Sequence, residues 1–206
     1  VKYTTYILQM SRRTLTQVEI DDFRQAYCEK AYELFKENDF HAISMRGIAK
    51  EMGCSPMAAY RYFDNKEAVF SSLRALLFHR LADTLESVPN DNNTLVYLKK
   101  LGYAYANFAL ENPSAYRLLY LIQIHQEQAS AEVEIAQNRT KNVLFNATQQ
   151  AIRAGELSGD VVTVAHGLWG LIHGIVSLDL ANQLNQGASF DQLMPGIFDQ
   201  FFKTVH

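Results

Sequence analysis

Ser44-Met-Arg-Gly-Ile-Ala-Lys-Glu-Met-Gly-Cys-Ser-Pro-Met-Ala-Ala-Tyr-Arg-Tyr-Phe-Asp-Asn-Lys66 reads as two short helices hinged at a glycine. Ser44 stands where it caps a helix running to about Met52, with Ile48, Ala49 and Met52 on one face. Gly53 supplies the positive φ of a tight helix exit. Ser55 caps the next helix, and Pro56 takes its first position, where a missing N–H costs nothing. Two helices joined by a turn of about three or four residues form a helix-turn-helix, whose second helix enters the DNA major groove. The same spacing also suits an ordinary helical hairpin.

Neighbouring residues favour the first alternative. Tyr60-Arg61-Tyr62-Phe63 places phenolic and guanidinium donors on the second helix, and Lys66 opens a further helix that Asp64 or Asn65 can cap. A lysine beside helix N–H groups suits a phosphate. From Ile43 to Arg80 six basic residues (Arg46, Lys50, Arg61, Lys66, Arg74, Arg80) face three acidic ones (Glu51, Asp64, Glu67), a net of +3 in a chain of net −3. Positive charge therefore collects where the motif is.

These residues resemble the TetR/AcrR family of transcriptional regulators. The resemblance runs from about Phe23 to Leu73, through Ala31-Tyr-Glu-Leu-Phe35, Ile43-Ser-Met-Arg-Gly-Ile-Ala49, Gly53-Cys-Ser55, Tyr60-Arg-Tyr-Phe63 and Asn65-Lys-Glu-Ala-Val69. A second segment, Trp169-Gly-Leu-Ile-His173-Gly174, is similar to the Trp-His-Gly type of TetR ligand-binding domain, and Phe108 to Pro113 with Tyr116 and Arg117 agrees with it. Two departures stand out. Asp39 replaces the family's glycine, leaving Asn38 or Asp39 to supply a left-handed turn, and Met57-Ala58-Ala59 replaces a more usual small-Thr-Leu sequence. The resemblance implies a homodimer with one recognition helix per operator half-site. It also implies an effector site in the C-terminal half, whose filling shifts the helix after the motif and changes the spacing of the recognition helices. Base-facing candidates are Arg46, Pro56, Met57 and Tyr60; Ser44, Ser55, Ala58, Arg61, Tyr62 and Lys66 are candidates for the DNA backbone, with Arg61 suited to either role.

Apolar residues recur at helical spacing nearly throughout, which predicts an all-α fold of about nine helices. A Thr16-x-x-Glu19 capping box opens the first, with Ile20, Phe23, Tyr27, Ala31, Leu34 and Phe35 on one face. The fourth begins near Lys66 and is stopped by Pro89; the fifth spans about Thr94 to Glu111; a short sixth holds Tyr116 to Leu121; the seventh runs from about Ala129 to Ala154. The eighth, about Asp160 to Asn182, is apolar on almost every side, and the ninth carries an apolar stripe from Phe190 to Val205. Helices so apolar suit a four-helix interface between two copies, formed by Leu168, Ile172, Ile175, Leu193, Ile197, Phe198 and Phe201, although a monomer core could also absorb the stripe. The expected domains are 1–65, an N-terminal extension and DNA-binding unit with its motif at 44–63, and 66–206, a helical bundle for ligand binding and dimerisation.

Candidates for the effector site are Tyr103, Tyr116, Phe145, Trp169 and His173, since ligand pockets are apolar with a few orienting polar groups. Each also suits a packed core. From Leu81 to His206 seven basic residues face twelve acidic ones, which disfavours an anionic effector and points to a mostly apolar one. Cys28 and Cys54 read as free buried thiols. His125, Glu127, Glu132 and Glu134 have no standard metal-ligand spacing, and neither a metal nor a cofactor is expected. No Gly-x-Ser-x-Gly, Gly-rich phosphate loop or HExxH is present, so an enzyme is not expected. The apolar stretch Gly167 to Leu180 reads as too short and too polar for a membrane span, and no signal peptide is read at the N-terminus, which together suggest a cytoplasmic protein. Residues Val1 to Gln9 fit no helical pattern. The expected partners are a double-stranded DNA operator, a small-molecule effector and a second copy of the chain, with no membrane. The rival reading is a helical sensor or carrier that has lost specific DNA binding; an α-helical enzyme using His173 is a more distant one.

Overall fold

Local capping chemistry sets most element boundaries in the computed structural model, which describes residues 16–123, 130–184 and 188–205. Thr16 accepts the Glu19 N–H at 3.3 Å while Glu19 accepts the Thr16 N–H at 2.8 Å, closing the predicted box at the start of α1 (Gln17–Glu37). Asn38 and Asp39 do not form the expected left-handed turn. Both are extended, and the Asp39 carboxylate instead takes the His41 N–H to cap a short 3₁₀ turn, Phe40–Ala42. Ser44 opens α2 (Met45–Met52), Gly53 closes it at φ +74°, and Ser55 with Pro56 opens α3 (Pro56–Ala59).

The second motif helix is shorter than its sequence suggests. Tyr60 to Tyr62 form a turn, because the Tyr62 and Phe63 N–H groups converge on the Ala59 carbonyl, each at 3.0 Å. That turn delivers Phe63 into the core against Tyr27, with ring centroids 5.5 Å apart. Tyr27 in turn donates to the Met45 carbonyl at 2.8 Å, fixing α1 to the start of α2.

Asn65 caps α4 (Lys66–Glu86), and Asn93 caps α5 (Thr94–Glu111). Helix α6 (Pro113–Tyr116) runs into a π-helical turn, Arg117–Leu121, that no sequence signal announced. Helix α7 (Ala131–Arg153) is followed by Gly155 at φ +73°, and Asp160 caps α8 (Val161–Leu180). Helix α9 (Phe190–Thr204) contains Pro195, which leaves the Asp191 carbonyl without its helical donor. The described residues thus hold nine α-helices and no strand.

Two compact units result. One reaches Leu76 and includes Ile122–Glu134; the other holds Leu77–Leu121 and Ile135 onward. The division falls inside α4. In the first unit α1, α2 and α3 enclose Phe23, Tyr27, Phe35, Ile48 and Phe63. In the second, α5 and α9 both pack on α8 around Leu98, Leu168, Phe190 and Phe198. Contrary to the sequence reading, α8 is by length and composition able to cross a membrane, with a mean hydropathy of 1.6. Its buried face is Val164, Ala165, Leu168, Ile172 and Val176, while Val162 and Leu178 remain 49% and 44% exposed.

Candidate functional site

The first unit presents the helix-turn-helix surface. Ser44 Oγ accepts the Gly47 N–H at 3.1 Å and Ser55 Oγ accepts the Ala58 N–H at 3.2 Å, so both hydroxyls are caps on exposed residues. Arg46, Met57, Tyr60 and Arg61 are exposed, whereas Pro56, Ala58 and Tyr62 are half-buried. Ser44, Arg46, Tyr60 and Lys66 come together around one shallow cleft, joined by Asp64 and Asn65. The other candidates, Ser55 to Ala58, Arg61 and Tyr62, lie outside that cleft.

Two further candidates have structural engagements. Lys66 is half-buried; its Nζ donates to the Phe40 carbonyl at 2.9 Å and sits 4.2 Å from the centre of the Phe40 ring. Tyr62 packs on Phe23, and its carbonyl receives Arg24 Nη1 at 3.0 Å. Arg24 also bonds Ser72 Oγ at 3.1 Å and stacks 4.8 Å from the Phe63 ring centre. It clamps the turn after α3 from α1, a role the sequence reading missed because the partners are far apart along the chain.

The second unit contains a cavity of about 200 Å³. Phe78 and Leu85 of α4, Tyr105 of α5, Tyr120, Phe145 of α7 and Trp169 of α8 supply much of its wall. Gln137, Thr140, Lys141 and His166 add the side-chain polarity besides the two phenols. Thr140 Oγ lies 3.0 Å from the carbonyls of both Phe78 and Ala136, so one hydroxyl proton is shared between α4 and α7.

Of the effector candidates, Phe145 and Trp169 are on this wall. His173 and Tyr116 are not on it, but Tyr105 joins them to it: its hydroxyl is 2.9 Å from His173 Nδ1, and the Tyr116 hydroxyl is 3.2 Å from the same nitrogen. Burial lowers the His173 pKa and so favours the neutral imidazole. Burial also pushes the Tyr120 phenol up to about 12 and drives Tyr105 higher still. Tyr103 lies elsewhere, against Phe190 and Phe198 at 5.9 and 5.6 Å between ring centroids. Tyr105, Tyr120 and His166 line the cavity without having been singled out, since their sequence pattern is that of any helix interior.

Among the candidates for a dimer surface, Leu168, Ile172 and Phe198 are buried within the single chain. Ile175, Leu193, Ile197 and Phe201 retain partial exposure. The described residues contain no cluster of three or more groups placed to hold a metal; His125 and Glu127 lie outside them.

Residues 28–73 match the model for bacterial regulatory proteins of the tetR family, and residues 98–200, half of the chain, match the tetracyclin repressor-like C-terminal domain. The chain is 26% identical over 155 residues to YobS of Bacillus subtilis, an HTH-type transcriptional regulator, covering 73% of this chain and 75% of the relative. Its fold is similar to that of a protein from Rhodococcus sp. RHA1, with a TM-score of 0.80 at 23% identity, covering 96% and 98% of the two chains. It is also similar in fold to the transcriptional regulator FadR of Bacillus subtilis, solved in complex with stearoyl-CoA, with a TM-score of 0.71 at 19% identity over 88% and 99%.

Proposed function

The chain belongs to the tetR family of bacterial regulatory proteins, whose members are transcription factors and not enzymes, and from this premise we propose a ligand-responsive repressor released from its operator by a small, mostly apolar effector. It works in the cytoplasm as a homodimer, each copy offering α3 to one major-groove half-site. Partly exposed apolar residues on α8 and α9, among them Ile175, Leu178, Ile197 and Phe201, support pairing through those helices. Trp169, His173 and Gly174 on α8 support assignment of the C-terminal half to the Trp-His-Gly type.

The observation that carries the effector class is the cavity wall, aromatic and aliphatic with a few polar groups along α7 and α8. A ligand bearing a long apolar chain is the kind of molecule such a wall favours; of the stearoyl-CoA in the FadR complex, it is the acyl chain and not the anionic coenzyme that matches. Phe78 and Leu85 belong to α4, the helix whose first half is part of the DNA-binding unit. An effector that takes the shared Thr140 proton or displaces Phe78 therefore acts directly on α4.

The test begins by selecting the operator from a random DNA pool with purified protein, then screening apolar compounds for its release. Phe145→Glu, which places a charge in the wall, is expected to keep operator binding and lose release. Release by polyanions alone, or an unaltered response in Phe145→Glu, overturns the effector assignment.

A further inference from the structure

We infer that α3 reads thymine, through its C5-methyl group, with Met57 as the specificity-determining side chain. The inference rests on the DNA-binding reading above and adds the chemistry of the base that is recognised.

Met57 is 74% exposed, more than any other large apolar side chain among the described residues. Its neighbours have structural work: Ala59 is fully buried, Ser55 caps the helix and Pro56 starts it. The Met57 thioether lies outside the buried core, so a groove that covers it would remove its apolar surface from water. Tyr60, 49% exposed, lies three residues on at the C-cap of α3, with right-handed φ −65°, ψ −10°. Arg61 follows as the fourth.

The composition of this face restricts what it can recognise. Bidentate reading of adenine needs Asn or Gln, and reading of cytosine needs Asp or Glu. From Pro56 to Phe63 none of these occurs. Arg61 is the residue there suited to guanine; the remaining exposed surface is thioether, methyl and phenol. Apolar atoms distinguish bases in the major groove by the thymine methyl, which cytosine lacks. Exposed Arg46, Lys50 and Arg61 supply the positive charge that brings a polyanion to this face, so its occupant is duplex DNA and not an apolar protein surface.

The deciding measurement replaces each thymine of the selected operator, one at a time, with deoxyuridine, which deletes the C5-methyl and keeps every hydrogen-bonding group. At one thymine per half-site the affinity of the full-length protein is expected to fall about fourfold, the worth of one buried methyl group. Met57→Ala, an exposed change to a better helix former, is expected to bind the parent operator more weakly and to lose that penalty. Met57→Gln is expected to shift the preference at the same position to adenine. A selected operator with no uracil-sensitive thymine, or a Met57→Ala protein that keeps the full penalty, overturns the inference and leaves operator binding standing. Failure to select any DNA overturns the DNA-binding reading itself.

Discussion

Lys66 shows how a side chain can serve architecture at a position that suggests ligand contact. Its ammonium lies between the Phe40 carbonyl and the Phe40 ring, closing the 3₁₀ turn onto the start of α4. Lys66→Ala is therefore expected to destabilise the DNA-binding unit by about 1–2 kcal/mol, measurable by chemical denaturation. Its effect on the salt dependence of operator binding should be smaller than that of Arg46→Ala. Loss of the exposed Arg46 guanidinium should reduce the slope of log K against log salt by about one. A full unit lost in Lys66→Ala with unchanged stability would reassign Lys66 to a phosphate. His173 makes a second residue-level case. Burial lowers its pKa below the ordinary 6.5, so the unfolded chain binds the proton first as the pH falls. Its contribution is thus fully present above 6.5 and is lost as the pH falls through the lowered value. Denaturation midpoints measured from pH 7.5 to 5 should carry this component in the native chain and lack it in His173→Phe.

At the scale of elements, the parts legible in the sequence were those written in local chemistry. Thr16 with Glu19, Ser44, Gly53 and Ser55 with Pro56 each act on a backbone within a few residues, and each does what its type predicts. The parts that were not legible depend on groups distant in the chain. The Arg24 clamp on the turn after α3 is the example, since no spacing rule contains its partner. The cavity followed the same division. Phe145 and Trp169 could be nominated as large apolar residues, but only the packing of α5 decides that Tyr105 and not Tyr103 faces it. Gly102 on α5 shows such packing acting on a backbone position: a Cβ there would lie 2.6 Å from Phe198 Cζ and 2.9 Å from Ile172 Cδ1. Gly102→Ala is expected to cost about 1–3 kcal/mol despite its better helix propensity, a reversal that thermal unfolding would reveal. A stabilised variant would mean that Phe198 has room to move.

For the whole molecule, the proposed dimer divides the apolar residues into those that stabilise the chain and those that would pair it with a copy. Phe198 is wholly buried, so Phe198→Asp places a charge in the monomer core and should abolish cooperative unfolding altogether. Ile197, on the same helix and half-exposed, is the better probe of assembly. Ile197→Asp is expected to give a monomer by light scattering with native helical circular dichroism, and with operator binding weakened in step with the lost second half-site. A dimer that survives this change, and the equivalent Ile175→Asp on α8, would place the interface elsewhere.

The cavity wall holds the chain's only tryptophan. Trp169 lies 6.1 Å from Tyr120 and 5.5 Å from His173 between ring centroids, so its indole is both an acceptor for tyrosine excitation and a neighbour of a titrating imidazole. The protein thereby carries an unlabelled optical gauge at one known point. Emission excited through the tyrosines reports the state of this wall, with no second indole to subtract. Stopped-flow traces at that single wavelength can time the filling of the cavity against the departure of DNA. The order of the two events then distinguishes an effector that drives release from one that only captures protein already off its operator.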